Sequence, residues 1–203
     1  GKILYRREIE ALTKIPVIAE VAFNETKDLL VVEPGKRTYA AEEFRKIRSS
    51  LSYLGINSEK KKILVTSSIS GEGKSFITAN LAISISATGK KVILVDMDLN
   101  KPTLGKILNI HSDKGVSDFL LGNVKVQDII EEVPKYGNLS YISAGTIVDN
   151  PSELMLKGNV TSLISYLESK YDMILIDTSP VVLVTDAHHL SPQCDATLYI
   201  IRH

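Results

Sequence analysis

The chain contains no tryptophan, a single cysteine and only 6% aromatic residues, and each scarcity removes a class of function. Cys194 alone can form neither an internal disulfide nor a thiolate cluster for a metal, which fits a reducing compartment. So few rings give no stacking platform for single-stranded nucleic acid. Charge of neither sign is in excess: 24 Lys and Arg balance 24 Asp and Glu, so net charge calls for no nucleic-acid partner. No apolar run approaches the roughly 20 residues that cross a bilayer, no signal-peptide pattern is present, and the residues given read as soluble. Internal repeats and low-complexity tracts are absent too. What remains is a chain of 203 residues, 44% hydrophobic and 24% charged, enough for one α/β domain with a sizeable core.

Short apolar runs rich in β-branched residues alternate with segments of helical period, which predicts a mostly parallel sheet joined by right-handed crossovers. Strands are expected at Lys62–Thr66, Lys91–Val95, Leu139–Ser143, Met173–Ile176 and Ala196–Ile201. Helices are expected at Tyr5–Leu12, Ala40–Leu54, Phe76–Ala87, Ser117–Leu121, Val126–Glu131 and Ser152–Lys170, the last broken near Gly158-Asn159. Residues 1–35 read as a peripheral lead-in that ends at the Pro34-Gly35 turn, and 36–203 as the domain proper. The final strand runs almost to His203 with no closing helix, so further elements are expected outside these residues.

The most informative stretch is Ser67-Ser68-Ile69-Ser70-Gly71-Glu72-Gly73-Lys74-Ser75, placed where a strand hands over to a helix. Gly71 and Gly73 can adopt angles that turn successive N–H groups toward a polyphosphate at a positive helix end. Ser70 through Phe76 would line the nucleotide, with Lys74 reaching the β- and γ-phosphates and Ser75 offering its hydroxyl to Mg²⁺. The usual glycine at the start of such a loop is replaced by Ser68. Two other buried strands end in acids, Asp96 and Asp98 after the second and Asp177 after the fourth. Ligands bind at that edge of open α/β sheets, so these acids should meet the loop. Ser75, Asp98 and Asp177 could share Mg²⁺, directly or through water, leaving Asp96 to accept or orient a proton from an attacking hydroxyl. Taken singly each aspartate fits a helix cap or loop acid equally well. Together with the loop they indicate an α/β, P-loop NTPase-like fold: a mostly parallel sheet flanked by helices on both faces, in three layers.

The whole set resembles the cytoplasmic catalytic domain of the bacterial tyrosine kinases (BY-kinases) that regulate capsular and exopolysaccharide chain length, over roughly residues 3 to 203. The resemblance rests on the P-loop at Ser67–Ser75, the D-x-D-L motif at Asp96–Leu99, Asp177 in Asp177-Thr178-Ser179-Pro180, and Glu42-x-x-Arg45-x-x-Arg48. Ala144-Gly145 and Asn150-Pro151-Ser152-Glu153-Leu154 also match, with no chemical role assigned. It implies ATP-dependent protein-tyrosine kinase activity with Mg²⁺, in which Lys74, Asp96 and Asp98 are catalytic and Asp96 activates the tyrosine hydroxyl. It further implies a ring-type homo-oligomer held through Glu42, Arg45 and Arg48, with a neighbour's tyrosine-rich tail as substrate in trans. The implied partner is a polysaccharide co-polymerase membrane protein, fused or separate, at the cytoplasmic face of the bacterial inner membrane.

Read from the residues alone, Glu42, Arg45 and Arg48 fit a solvated helix face with local ion pairs, and Lys2, Arg6 and Arg7 fit either a juxtamembrane segment or another such face. Asn100-Lys101 stands where the family has arginine, and the eight tyrosines are scattered with no C-terminal cluster. A rival reading is a partition or cell-division-site ATPase, whose signature lysine is replaced here by Ile69. Another is a non-catalytic, nucleotide-dependent switch or adaptor of a polysaccharide export complex. His188-His189 lacks partner ligands at useful spacing and reads as a solvated helix start.

Overall fold

In the computed structural model, which describes residues 6–22, 28–183 and 185–202, strands form at the apolar runs between turn residues. They are β1 (Lys62–Ser67), β2 (Val92–Met97), β3 (Glu131–Glu132), β4 (Leu139–Ile142), β5 (Met173–Thr178) and β6 (Ala196–Ile200). All join one sheet of order β3-β4-β2-β5-β1-β6. The pairs among β1, β2, β4, β5 and β6 are parallel, and β3 lies antiparallel on β4 with Glu131 opposite Tyr141.

Alternation along the strands divides the core between two faces. Ile63, Val65, Leu94 and Leu175 pack with α2 (Tyr39–Tyr53), α3 (Lys74–Ser86) and α4 (Leu104–Leu108). Leu64, Ile93, Ile174 and Ile176 pack with α5 (Val116–Leu120), α6 (Pro151–Lys157), α7 (Val160–Glu168) and α8 (Asp186–Leu190). The three-layer arrangement expected from the sequence is therefore present. The long C-terminal helical segment divides at Gly158-Asn159, where the Asn159 side chain accepts the Ser162 N–H and caps α7. His188 and His189 lie exposed on α8.

Three local expectations change. Val126–Glu131 is not one helix: a short 3-10 turn covers Val126–Ile129, and Ile130 is already extended, so Glu131 enters β3. The sheet edge supplies those backbone groups with partners that so short a helix leaves unmet. The helix α4, announced only by Leu104 and Leu108 one turn apart, had no counterpart in the sequence reading. The lead-in is also less peripheral than its composition indicated. Although α1 (Arg6–Leu12) buries nothing, Val32 is in the core and Ile18, Val21, Leu30 and Val31 pack against it. Asn80 on α3 explains the attachment. Its Oδ1 accepts the Val31 and Val32 N–H groups at 2.8 and 3.1 Å, and its Nδ2 donates to Leu29 O at 3.0 Å. Lys2, Tyr5 and His203 lie outside the described residues.

Candidate active site

Three neighbouring strands at the middle of the sheet, β2, β5 and β1, carry the candidate residues at their carboxyl ends. The loop after β1 turns through Gly71 and Gly73, with φ of 89° and 88°, angles that glycine adopts without strain. The Glu72 carboxylate accepts the Ile69 N–H at 3.0 Å, so Glu72 closes the loop from within. Ser70, Gly71 and Gly73 stay exposed, and Arg202 donates to Gly71 O at 3.4 Å. The ring of Phe76 meets Phe44 of α2 edge-on, with centroids 6.0 Å apart.

Lys74 points inward and is buried. Its Nζ lies 3.0 Å from Asp177 Oδ2 and 3.6 Å from Asp98 Oδ2. The Ser75 hydroxyl donates to the same Asp177 oxygen at 2.6 Å, while Thr78, one turn along α3, donates to Asp177 Oδ1 at 3.0 Å. Asp98 is held by the Ser179 hydroxyl at 2.7 Å and the Lys101 N–H at 3.0 Å. Asn100 donates to Ser179 at 3.2 Å, so it serves this network. The Thr103 hydroxyl donates to Ser75 Oγ at 2.8 Å.

Asp96 pairs in register with Asp177 on the adjacent strand, which puts both carboxylates on the face under α3. It is fully buried and receives long N–H bonds from Asp98 and Leu104, both 3.2 Å. Burial, and then the charge of Asp177, pushes its carboxyl up to about 8. Burial raises Asp177 as well, against the opposing pull of Lys74, Ser75 and Thr78. Asp96, Asp98 and Asp177 thus share one edge with Lys74, the single buried Lys or Arg among the described residues. Hard oxygens in excess over cations, beside a loop that presents N–H groups, are the donor set that Mg²⁺ and phosphate oxygens require.

The structure brings Ser75, Asp98, Asp177, Lys74 and Asp96 together as the sequence led one to expect. Thr78, Thr103 and Ser179 join them and were not foreseen. Thr78 lies four residues beyond Lys74 on the same helix face, a spacing that could have singled it out. Thr103 and Ser179 carry no such signal, because only the loop fold brings them in. The helix residues Glu42 and Arg45 form an ion pair with each other on α2, about half exposed. Arg48 departs from that surface: its guanidinium donates to Ser84 O of α3 at 2.5 Å.

The AAA domain family profile matches residues 60–194. The tyrosine-protein kinase wzc of Salmonella typhi is 34% identical over 164 residues, covering 81% of this chain and 23% of its own length. The tyrosine-protein kinase YwqD of Bacillus subtilis is 30% identical over 173 residues, covering 85% of this chain and 72% of its own. The chain therefore spans under a quarter of the first relative and most of the second. Among solved structures, the kinase domain of Escherichia coli tyrosine kinase ETK superposes with a TM-score of 0.88 at 25% identity, over 98% of this chain and 81% of that one. With the P-loop, both acidic strand ends and these likenesses together, the chain belongs to the bacterial tyrosine kinase family.

Proposed function

We propose that the chain transfers the γ-phosphoryl group of ATP to protein tyrosine. The observation that carries this reading is the single cluster in which Lys74 and Ser75 converge on Asp177 while Asp96 lies in register beside it. Phosphoryl transfer needs mainly positioning and charge neutralisation, and these residues can supply both. On binding, the phosphates would draw the Lys74 ammonium from its carboxylates, and the exposed loop N–H groups would take the remaining phosphate charge. Ser75, Asp98 and Asp177 would hold Mg²⁺, which supplies neutralisation at the β- and γ-phosphates when bound. The tyrosine oxygen would then bond to the γ-phosphorus as the bond to the bridging oxygen breaks, ADP leaves, and Asp96, whose own proton the charge of bound Mg²⁺ would expel, takes the hydroxyl proton. Because Asp96 has no exposed surface, the segment 98–104 that covers it must shift for the acceptor to reach it.

The same reading makes the kinase an oligomer acting in trans, with Glu42 and Arg45 as the contact pair on α2. Arg48 would tie that helix to α3 and so to the P-loop that opens it. Family membership supports a role in capsule or exopolysaccharide polymerisation and export, beside a polysaccharide co-polymerase at the inner face of a bacterial membrane. Among the described residues no helix is long and apolar enough to cross a membrane, so in this reading the membrane contact comes from a partner or from further chain. The test is incubation with Mg-ATP and a tyrosine-rich peptide, scored for phosphotyrosine. Wild type should label the peptide, while Lys74→Met and Asp96→Asn should not. Nucleotide binding without phosphotyrosine would leave the switch or adaptor reading.

A further inference from the structure

Asp186 opens α8 at the same sheet edge, and nothing described so far uses it. It has no exposed surface, and among the described residues no donor meets either carboxylate oxygen at hydrogen-bonding geometry. The helix it starts packs on β1 and on α6. Ser152, second residue of α6, belongs to the Asn150-Pro151-Ser152-Glu153-Leu154 segment, which also lacks a chemical role. Burial pushes the Asp186 carboxyl up, the Ser152 hydroxyl pulls it back, and the charge of Asp98 raises it again, with His189 opposing. The loop that leads from β5 to Asp186 is fixed at the site: Ser179 donates to Asp98 at 2.7 Å, and the Val181 and Val182 N–H groups donate to Ser67 O and Ser68 O at 2.9 and 3.2 Å, while the Lys74 ion pairs go to Asp98 and Asp177. A buried carboxylate with two unspent acceptor oxygens is costly unless something donates to it.

Mg²⁺ bound to phosphates keeps several waters, and those waters offer donors to the surrounding protein. We propose that Asp186, assisted by Ser152, is a positioning residue of the site, accepting hydrogen bonds from the water shell of the Mg²⁺ that Asp98 helps to hold. This rests on the nucleotide-site reading above. It gives the Asn150–Leu154 segment a purpose, which is to bring Ser152 over the acid. Outer-shell carboxylates of this kind tune metal affinity about 10- to 100-fold.

The test measures Mg²⁺ dependence of binding rather than turnover, using a fluorescent ATP analogue titrated with Mg²⁺ at fixed nucleotide. Asp186→Asn should raise the Mg²⁺ concentration for half-saturation about 10-fold or more and leave metal-free nucleotide affinity unchanged. Ser152→Ala, at a half-buried position, should move it in the same direction by a smaller factor. The melting temperature of nucleotide-free Asp186→Asn should match or exceed wild type, because burial and the charge of Asp98 already disfavour the ionised acid that the variant removes. A folded Asp186→Asn with wild-type Mg²⁺ dependence overturns the inference and leaves the kinase reading intact. An Asp186→Asn that does not fold overturns it as well, since the acid would then be structural. Wild-type binding that ignores Mg²⁺ would instead overturn the nucleotide-site reading, and this inference with it.

Discussion

Lys74 occupies, in this structure, the place between Asp98 and Asp177 where cationic charge is most needed. In the proposed reaction its exchange of carboxylates for phosphates would make the site selective for a polyphosphate. Lys74→Met should lower phosphoryl transfer on the order of 10²- to 10³-fold, checked by initial rates at saturating Mg-ATP. Asp96 supports a second residue-scale prediction, for the nucleotide-free protein. Its carboxyl is about 8 when folded, against an ordinary value near 4 in the unfolded chain. Between those values the folded state holds a proton that the unfolded state has lost, so stability falls as pH rises from about 4 to about 8 and levels off above. Melting temperatures across that range should fall for wild type and flatten in Asp96→Asn, which has no carboxyl to titrate there.

At the scale of elements, α3 is the member through which the others reach the P-loop. Phe44 of α2 meets Phe76 of α3, Arg48 of α2 donates to Ser84, and Asn80 holds the 29–32 segment. Phe44→Ala should destabilise by about 3–5 kcal/mol, measurable by urea unfolding, because the ring is wholly buried between these helices. The loop after β4 is as constrained. Gly145 has φ of +87°, and a Cβ there would meet Asp118 Oδ2 at 2.5 Å and Gly115 N at 2.7 Å. Gly145→Ala should therefore cost about 1–3 kcal/mol from backbone strain alone, and more from those contacts, in the same unfolding measurement. These elements also show what could be read in advance. The five parallel strands and α3 were legible because buried parallel strands are continuous apolar runs and P-loop helices follow a fixed spacing. The 3-10 turn before β3, the short α4 and the docked lead-in were not. Their conformations come from partners distant in sequence: β4 for Glu131, and Asn80 for residues 29–32. The pattern of Asn80 on an apolar stripe was visible, but its meaning depends on which backbone it meets.

For the whole molecule, strand order decides the function. The chain is far from sequential across the sheet, yet β2, β5 and β1 end up adjacent, so three motifs separated by up to about a hundred residues converge at one edge. The candidate acids were legible because each follows its own strand, whereas the hydroxyls of Thr103 and Ser179 enter only through loop paths. If the molecule also acts as a ring, Arg45→Ala should lower the oligomer's sedimentation coefficient while leaving the monomer fold intact, since its ion pair with Glu42 lies on an exposed helix face. The most direct measurement follows the destination of the γ-phosphate. With γ-labelled ATP, Mg²⁺ and a tyrosine-rich tail peptide, the account predicts label on peptide tyrosine in step with ADP formation, cut on the order of 10²- to 10³-fold in Lys74→Met. Label released only as inorganic phosphate, with no phosphotyrosine, would contradict it.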